Sequence, residues 1–232
     1  AFWYTPYENK KGNDTFTYVA VDSAGNTSEP ATVKITISVP TSGVVYSDMD
    51  GHEAHYAALR LAEEGLYTGR QMGELYCFDP EETFTREEFL ALAMSATDCQ
   101  PLEDVSLTGF YDDGSIPSWA KGYVSAALLS GAVQGCYNEQ GQIVFNSGAA
   151  ITQAEAAVML DRLLEVSDVS GQSTMADQSV PTWASQSVAN LETLSVLTGA
   201  TQLSDPLTRG EAAQMLCAAL DVVDSRDSGW FW

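Results

Sequence analysis

The chain is predicted to be mainly α, with three helix-loop-helix repeats behind a short N-terminal β-hairpin. Three observations carry this. Residue periodicity changes from two to helical spacing after Pro40-Thr41-Ser42-Gly43. Beyond that point a six-part pattern recurs, with Asp48, Asp113 and Asp177 standing 65 and then 64 residues apart. In each recurrence a Thr is followed three residues later by a Glu, at Thr85/Glu88, Thr152/Glu155 and Thr208/Glu211, which is the signature of a capping box at a helix start.

In the front piece Phe16, Tyr18 and Ala20 share one face of a strand, and Val33, Ile35, Ile37 and Val39 share one face of a second. Asp22-Ser23-Ala24-Gly25-Asn26 between them supplies Asx and glycine turn chemistry, with Gly25 suited to a positive φ. Two strands cannot bury an independent core. The opening at Ala1, with neither initiator Met nor signal peptide, is what a fragment or a processed product would show. The expected boundaries are a β piece at 1–39, a linker at 40–45, repeats at 46–100, 101–168 and 169–224, and a tail at 225–232.

Each repeat reads as helix, loop, helix. In the second, Trp119, Tyr123, Val124, Ala127 and Leu128 recur at helical spacing with Ser118 placed to cap, and the third repeats this with Thr182, Trp183, Val188 and Leu191. Gly65 and Gly131 are placed to stop the first helix of their repeats.

Composition narrows the function. The 232 residues carry 32 acidic and 10 basic side chains, a formal charge of -22 that repels nucleic acid and anionic membrane. Residues 1–43 hold Lys10, Lys11 and Lys34 among the basic groups, so each Arg at a repeated position further on demands a reason. No apolar run is long enough to span a bilayer. Cys77, Cys99, Cys136 and Cys217 lack metal spacing and read mainly as small buried apolar residues, with one disulfide as the alternative. His52-Glu53-Ala54-His55 has its histidines three apart, not four, and no third ligand is evident. With no nucleophile elbow, no phosphate-cradling loop and no other His, neither catalysis nor a cofactor is expected.

The second unit runs Tyr111-x-Asp113, Pro117-Ser118-Trp119-Ala120, Gly131-Ala132-Val133-x-Gly135, Phe145 and Thr152-Gln153-Ala154-Glu155. The third runs Met175-x-Asp177, Pro181-Thr182-Trp183-Ala184, Val196-Leu197-x-Gly199 and Thr208-Arg209-Gly210-Glu211. The first is more worn: Tyr46-x-Asp48, His52-Glu53-Ala54, Gly65-Leu66-Tyr67-x-Gly69, Phe78-x-Pro80 and Thr85-Arg86-Glu87-Glu88. Over about residues 46 to 222 these units resemble the S-layer homology module. The resemblance implies a pseudo-threefold trio of helical repeats whose grooves bind a secondary cell-wall polysaccharide, often bearing a pyruvate ketal. That would anchor a secreted protein without a covalent bond and place it outside the cell, on the wall or in the S-layer. The front piece, through Asn13-Asp14-Thr15-Phe16-Thr17-Tyr18, resembles the closing strands of a bacterial immunoglobulin-like or cadherin-like module, in which Asp22 could ligate calcium as an alternative to making the turn.

The candidate glycan-binding residues are Arg86, Arg209, Trp119, Trp183, Asp48, Asp113 and Asp177. Capping explains the Thr and Glu of each helix start but not the Arg, which sits at the end of the helix dipole that disfavours a cation. A carboxylate on a sugar, met by free helix-start amides and the guanidinium fork, would relieve this misfit; an internal ion pair is the alternative. Trp119 and Trp183 are either sugar-stacking platforms or core, and the three Asp residues either accept from hydroxyls or staple their own loops.

Glu53 stands where the family has Trp, Gln153 where it has Arg, and Ser195 where it has Gly. If a groove needs one Trp and one Arg, same-repeat pairing leaves one complete groove, pairing Arg with the next repeat's Trp also leaves one, and the reverse order leaves two: Trp119 with Arg209 and Trp183 with Arg86, while Glu53 meets Gln153. The worn positions also favour a second function, contact with other surface-layer proteins.

Overall fold

The computed structural model describes residues 12–37, 41–169, 180–198 and 203–227. The chain divides into two compact units, Ala1–Gly43 and Val44–Trp232.

In the first unit strands β1 (Gly12–Tyr18) and β2 (Ala31–Ile37) pair antiparallel, with Phe16 opposite Val33 and Asp14 opposite Ile35. Asp22 organises the connection: its carboxylate accepts from the amides of Ala24 and Asn26 at 2.9 and 2.8 Å and from Asn26 Nδ2 at 2.8 Å, and Gly25 takes φ +86°. Every described side chain of this unit is exposed or half-buried, as expected of a lone pair of strands.

The second unit contains helices α1 (His55–Glu63), α2 (Arg86–Ala96), α3 (Lys121–Ser130), α4 (Gln153–Leu163), α5 (Ser185–Thr193) and α6 (Arg209–Asp227). Hairpin β3–β4 (Arg70–Met72, Leu75–Cys77) stands between α1 and α2, and hairpin β5–β6 (Cys136–Tyr137, Ile143–Val144) between α3 and α4. Six helices with three two-stranded sheets among the described residues make the chain mixed α and β, which corrects the expectation of a mainly α chain in a pseudo-threefold arrangement. The segments read as loops pair as hairpins because glycines bring their ends together: at Gly69 (φ +74°) a Cβ would run into the Cys77 carbonyl. The helix contacts are also unequal. Helix α2 packs against both α4 and α6, whereas α4 and α6 share no comparable interface, and α1, α3 and α5 lie on α6, α2 and α4.

Helices α2, α4 and α6 start from capping boxes. The amides of Thr85, Thr152 and Thr208 donate to Glu88, Glu155 and Glu211 at 2.9 to 3.0 Å, and the Glu amides donate back to the Thr hydroxyls. Their first amides are tied across the repeats: Arg86 N donates to Ala149 O, Gln153 N to Asp205 O and Arg209 N to Glu82 O. Beneath these starts lies one core, in which Phe78, Phe84, Phe89, Phe145, Ile151 and Leu160 are fully buried. Helices α3 and α5 begin at Ala120 and Ala184 without a side-chain cap, so Ser118 and Thr182 do not cap as expected. That start leaves Trp119 and Trp183 just outside the helix ends.

Candidate functional site

Three grooves among the described residues of the second unit are built alike. Each lies over α2, α4 or α6, against the loop leaving the helix before it, and takes a wall from the residues that open the first helix of another repeat.

Over α4, a cavity of about 330 Å³ is lined by Arg86, Glu155, Arg162 and Trp183. The Arg86 side chain is 8% exposed; Nε donates to Phe145 O at 2.9 Å, Nη1 lies 2.8 Å from Glu155 Oε1, and the guanidinium sits 5.3 Å from the Phe145 ring centroid. The Glu155 contact is an ion pair without an aligned hydrogen bond, so Nη1 keeps a donor to spare. Arg162 spends Nη1 on Gly131 O at 2.9 Å. Trp183 is 60% exposed on the rim. Two guanidinium groups and an indole therefore converge in a chain of charge -22.

Over α2, an open groove of about 590 Å³ is aromatic, with Tyr67, Phe84, Trp119 and Tyr123 beside Glu88. Trp119 is 52% exposed. Arg209 backs this groove without lining it: its guanidinium lies 5.5 Å from the Phe84 ring centroid and 3.7 Å from Asp79, and it lowers the tendency of Tyr67 to hold its proton against the stronger upward push of burial. Its Nε is buried and makes no hydrogen bond.

Over α6, a cavity of about 190 Å³ is lined by Glu53, Gln153, Ser195, Thr198, Glu211 and Gln214 with four apolar residues, and holds no basic side chain. Gln153 occupies the slot that Arg86 occupies on α2, its Nε2 donating to Glu211 Oε1 at 2.8 Å as Arg86 meets Glu155.

The sequence candidates thus separate. Trp183 meets Arg86, Trp119 stands on the Arg209 side and Glu53 meets Gln153, which is the reverse-order pairing. Of the helix-start amides anticipated for an anion, the first in each of α2, α4 and α6 is not free, since it donates to a carbonyl of another repeat. For Arg86 the ion pair and the groove position coexist.

Asp48 and Asp113 line none of the three grooves. Burial pushes the Asp48 carboxyl up, but the Phe78 and Asp79 amides at 3.0 and 2.7 Å and the Cys77 thiol at 3.1 Å hold it below the ordinary value. Asp113 is pulled to about 2, first by Lys121 at 2.6 Å and then by the Thr108 amide. The two are not counterparts. Asp112 is the residue that binds the Phe145 and Asn146 amides, both at 2.8 Å, as Asp48 binds those of Phe78 and Asp79, so the repeat aligns Phe110-x-Asp112 with Tyr46-x-Asp48. Packing agrees, with Tyr46 against Phe78 and Phe110 against Phe145. Asp177 lies outside the described residues.

Asp22 has its carboxylate turned to its own loop, as the turn-forming alternative requires. Among the described residues one group, Asp48, Cys77 and Asp79, is close enough to hold a metal ion. Its thiol donates to Asp79 at 3.0 Å and to Asp48 at 3.1 Å, and these two hydrogen bonds push Cys77 up to about 11. All four cysteines are free; Cys217 lies in the core and the half-buried Cys99 packs against that core, as the reading of small buried residues expects, whereas Cys77 is half-buried beside two carboxylates and Cys136 is exposed.

Sequence reasoning missed Arg162, Tyr67, Tyr123 and Glu211 as groove residues. Arg162 was findable, since Glu155, Val158, Met159 and Arg162 recur on one face of α4.

No family model matches the chain. It is similar to stretches of three curated proteins. One is an exoglucanase, XynX, of Acetivibrio thermocellus, 37% identical over 92 residues that are 38% of this chain and 8% of that protein. A surface-layer 125 kDa protein of Lysinibacillus sphaericus is 28% identical over 123 residues, 53% of this chain and 10% of its own length. An amylopullulanase of Thermoanaerobacterium thermosulfurigenes is 38% identical over 91 residues, 38% of this chain and 5% of its own. The chain therefore spans a tenth or less of each relative it matches.

Proposed function

We propose that residues 44–232 are a non-catalytic anchor of the S-layer homology type that holds a secreted protein to the cell wall by binding an anionic secondary wall polysaccharide. The observation that carries this reading is the α4 groove, where Arg86, Arg162 and Trp183 share one cavity in a strongly acidic chain. A guanidinium with a spare donor suits a sugar-borne carboxylate such as a pyruvate ketal, and the exposed indole suits the apolar face of the ring. The aromatic α2 groove would take a neighbouring part of the polymer.

The relatives support it as well: a chain similar to short stretches of a surface-layer protein, an exoglucanase and an amylopullulanase is better understood as an attachment device than as the seat of any one reaction. No helix among the described residues is long and apolar enough to cross a membrane.

The test is sedimentation with protein-free cell wall before and after chemical removal of its polysaccharide, alongside calorimetry with a ketal-bearing fragment. Binding should disappear with the polysaccharide, and Trp183→Ala should weaken it about tenfold without unfolding the chain, since the ring is largely exposed. Failure to bind even the intact protein-free wall would favour the second reading, a contact with other surface-layer proteins, which the surface-layer relative supports.

A further inference from the structure

The α6 groove inverts the chemistry of the α4 groove. Its polar lining is Glu53, Gln153, Glu211, Ser195, Thr198 and Gln214. Gln153 is 7% exposed, and its Nε2 is committed to Glu211 Oε1 at 2.8 Å. That bond sets the amide orientation, because a flipped amide would put oxygen against carboxylate. The Oε1 atom is then left buried with no hydrogen-bond partner. A buried acceptor without a donor is unfavourable and is relieved by a donor brought in by a ligand. On the opposite wall Glu53 is exposed, and no described basic group forms an ion pair with it.

From this we infer that the α6 groove binds the protonated amine of an amino sugar, with Glu53 as counter-charge and Gln153 Oε1 as acceptor. An ammonium brings three donors and no acceptor, the complement of a carboxylate and an unpaired amide oxygen. A divalent cation fits less well: calcium takes about six to eight oxygens, and both Glu211 oxygens already serve Gln153 and Thr208. The cavity of about 190 Å³ holds one ring rather than a chain, and its hydroxyl and amide groups suit a polyhydroxylated one. The choice of a sugar rests on the glycan reading above; the choice of an amine does not.

The experiment titrates the whole chain with methyl glucosaminide and, separately, with its N-acetyl counterpart at physiological salt, following the Gln153 side-chain amide and the Thr198 amide by NMR. The amine should shift both signals and bind about tenfold more tightly than the acetylated sugar, and Glu53→Gln should remove about that factor. Glu139→Gln, an exposed charge on the β5–β6 turn, should leave it unchanged. Equal affinity for the acetylated sugar overturns the inference, as do diffuse shifts indifferent to Glu53→Gln, which the net charge alone would produce. Calcium displacing the amine from Gln153 overturns it in favour of a metal site. Cyclohexylamine binding as tightly as the glucosaminide overturns the sugar while keeping the amine. Failure of the anchor reading is read elsewhere, in the Trp183→Ala titration with a ketal-bearing fragment.

Discussion

The α4 and α6 grooves share their construction and oppose each other in charge. Both have, at the first position of a neighbouring helix, a nitrogen donor 2.8 Å from the Glu of a capping box: Arg86 to Glu155 in one, Gln153 to Glu211 in the other. Arg fills that slot with a cation that has donors to spare, Gln with an amide that has an acceptor to spare. On the far wall one groove presents Trp183 and the other Glu53. The two grooves therefore differ at matching positions, Arg86 against Gln153 and Trp183 against Glu53, while Arg162 of the α4 groove has no counterpart in the lining of the other.

The comparison breaks most visibly at Arg86. Arg86→Met strands Glu155, removes the bond to Phe145 O and loses the cation over the Phe145 ring. It should destabilise the second unit by about 3 kcal/mol, seen as a lower denaturant midpoint, and abolish binding of an anionic fragment. Gln153→Ala, in the matching slot, removes a neutral donor and should lower stability by only about 1 kcal/mol. Equal effects would show that the two slots do not differ as argued.

Rebuilding is the sharper test. Glu53→Trp with Gln153→Arg should give the α6 groove the side chains of the α4 groove, with Arg pairing Glu211. Calorimetry with a ketal-bearing fragment should then find one more site per chain than the parent has. An unchanged stoichiometry would mean that Arg162, which has no counterpart in the α6 groove, is indispensable.

The smallest effect is expected at Asp113, which touches neither groove. Its carboxyl is held at about 2, below the ordinary 3.8, so the stabilisation it gives is complete above that ordinary value and fades as pH falls through about 2. Asp113→Asn should lower the melting temperature at neutral pH, converge with the parent below about pH 2, and leave anionic-fragment affinity unchanged.

Much of this was legible beforehand, and the reasons for the rest are specific. The capping boxes at Thr85, Thr152 and Thr208 could be read because three residues each encode them locally. The loss of a Trp at Glu53 and of an Arg at Gln153 was also visible. The hairpins were not, because strands of two and three residues show no alternation, and only closure by Gly69 and Gly135 reveals them. The choice of Asp113 over Asp112 slipped by one residue, since Tyr111-x-Asp113 and Phe110-x-Asp112 overlap in sequence and only the amides of Phe145 and Asn146 tell them apart. That Arg209 sits behind Phe84 while Arg86 reaches its cavity is a tertiary fact with no local trace.

The ties between helix starts have a further consequence. Because Arg86 N needs Ala149 O, Gln153 N needs Asp205 O and Arg209 N needs Glu82 O, cutting the chain after any one period leaves the next with amide protons pointing at nothing. The period that the eye finds in the letters is therefore not a part that can be swapped, lent or lost singly. A deletion of one repeat would be read by a protease as unfolded chain, and a library that shuffles such segments would have to trade them in complete sets of three.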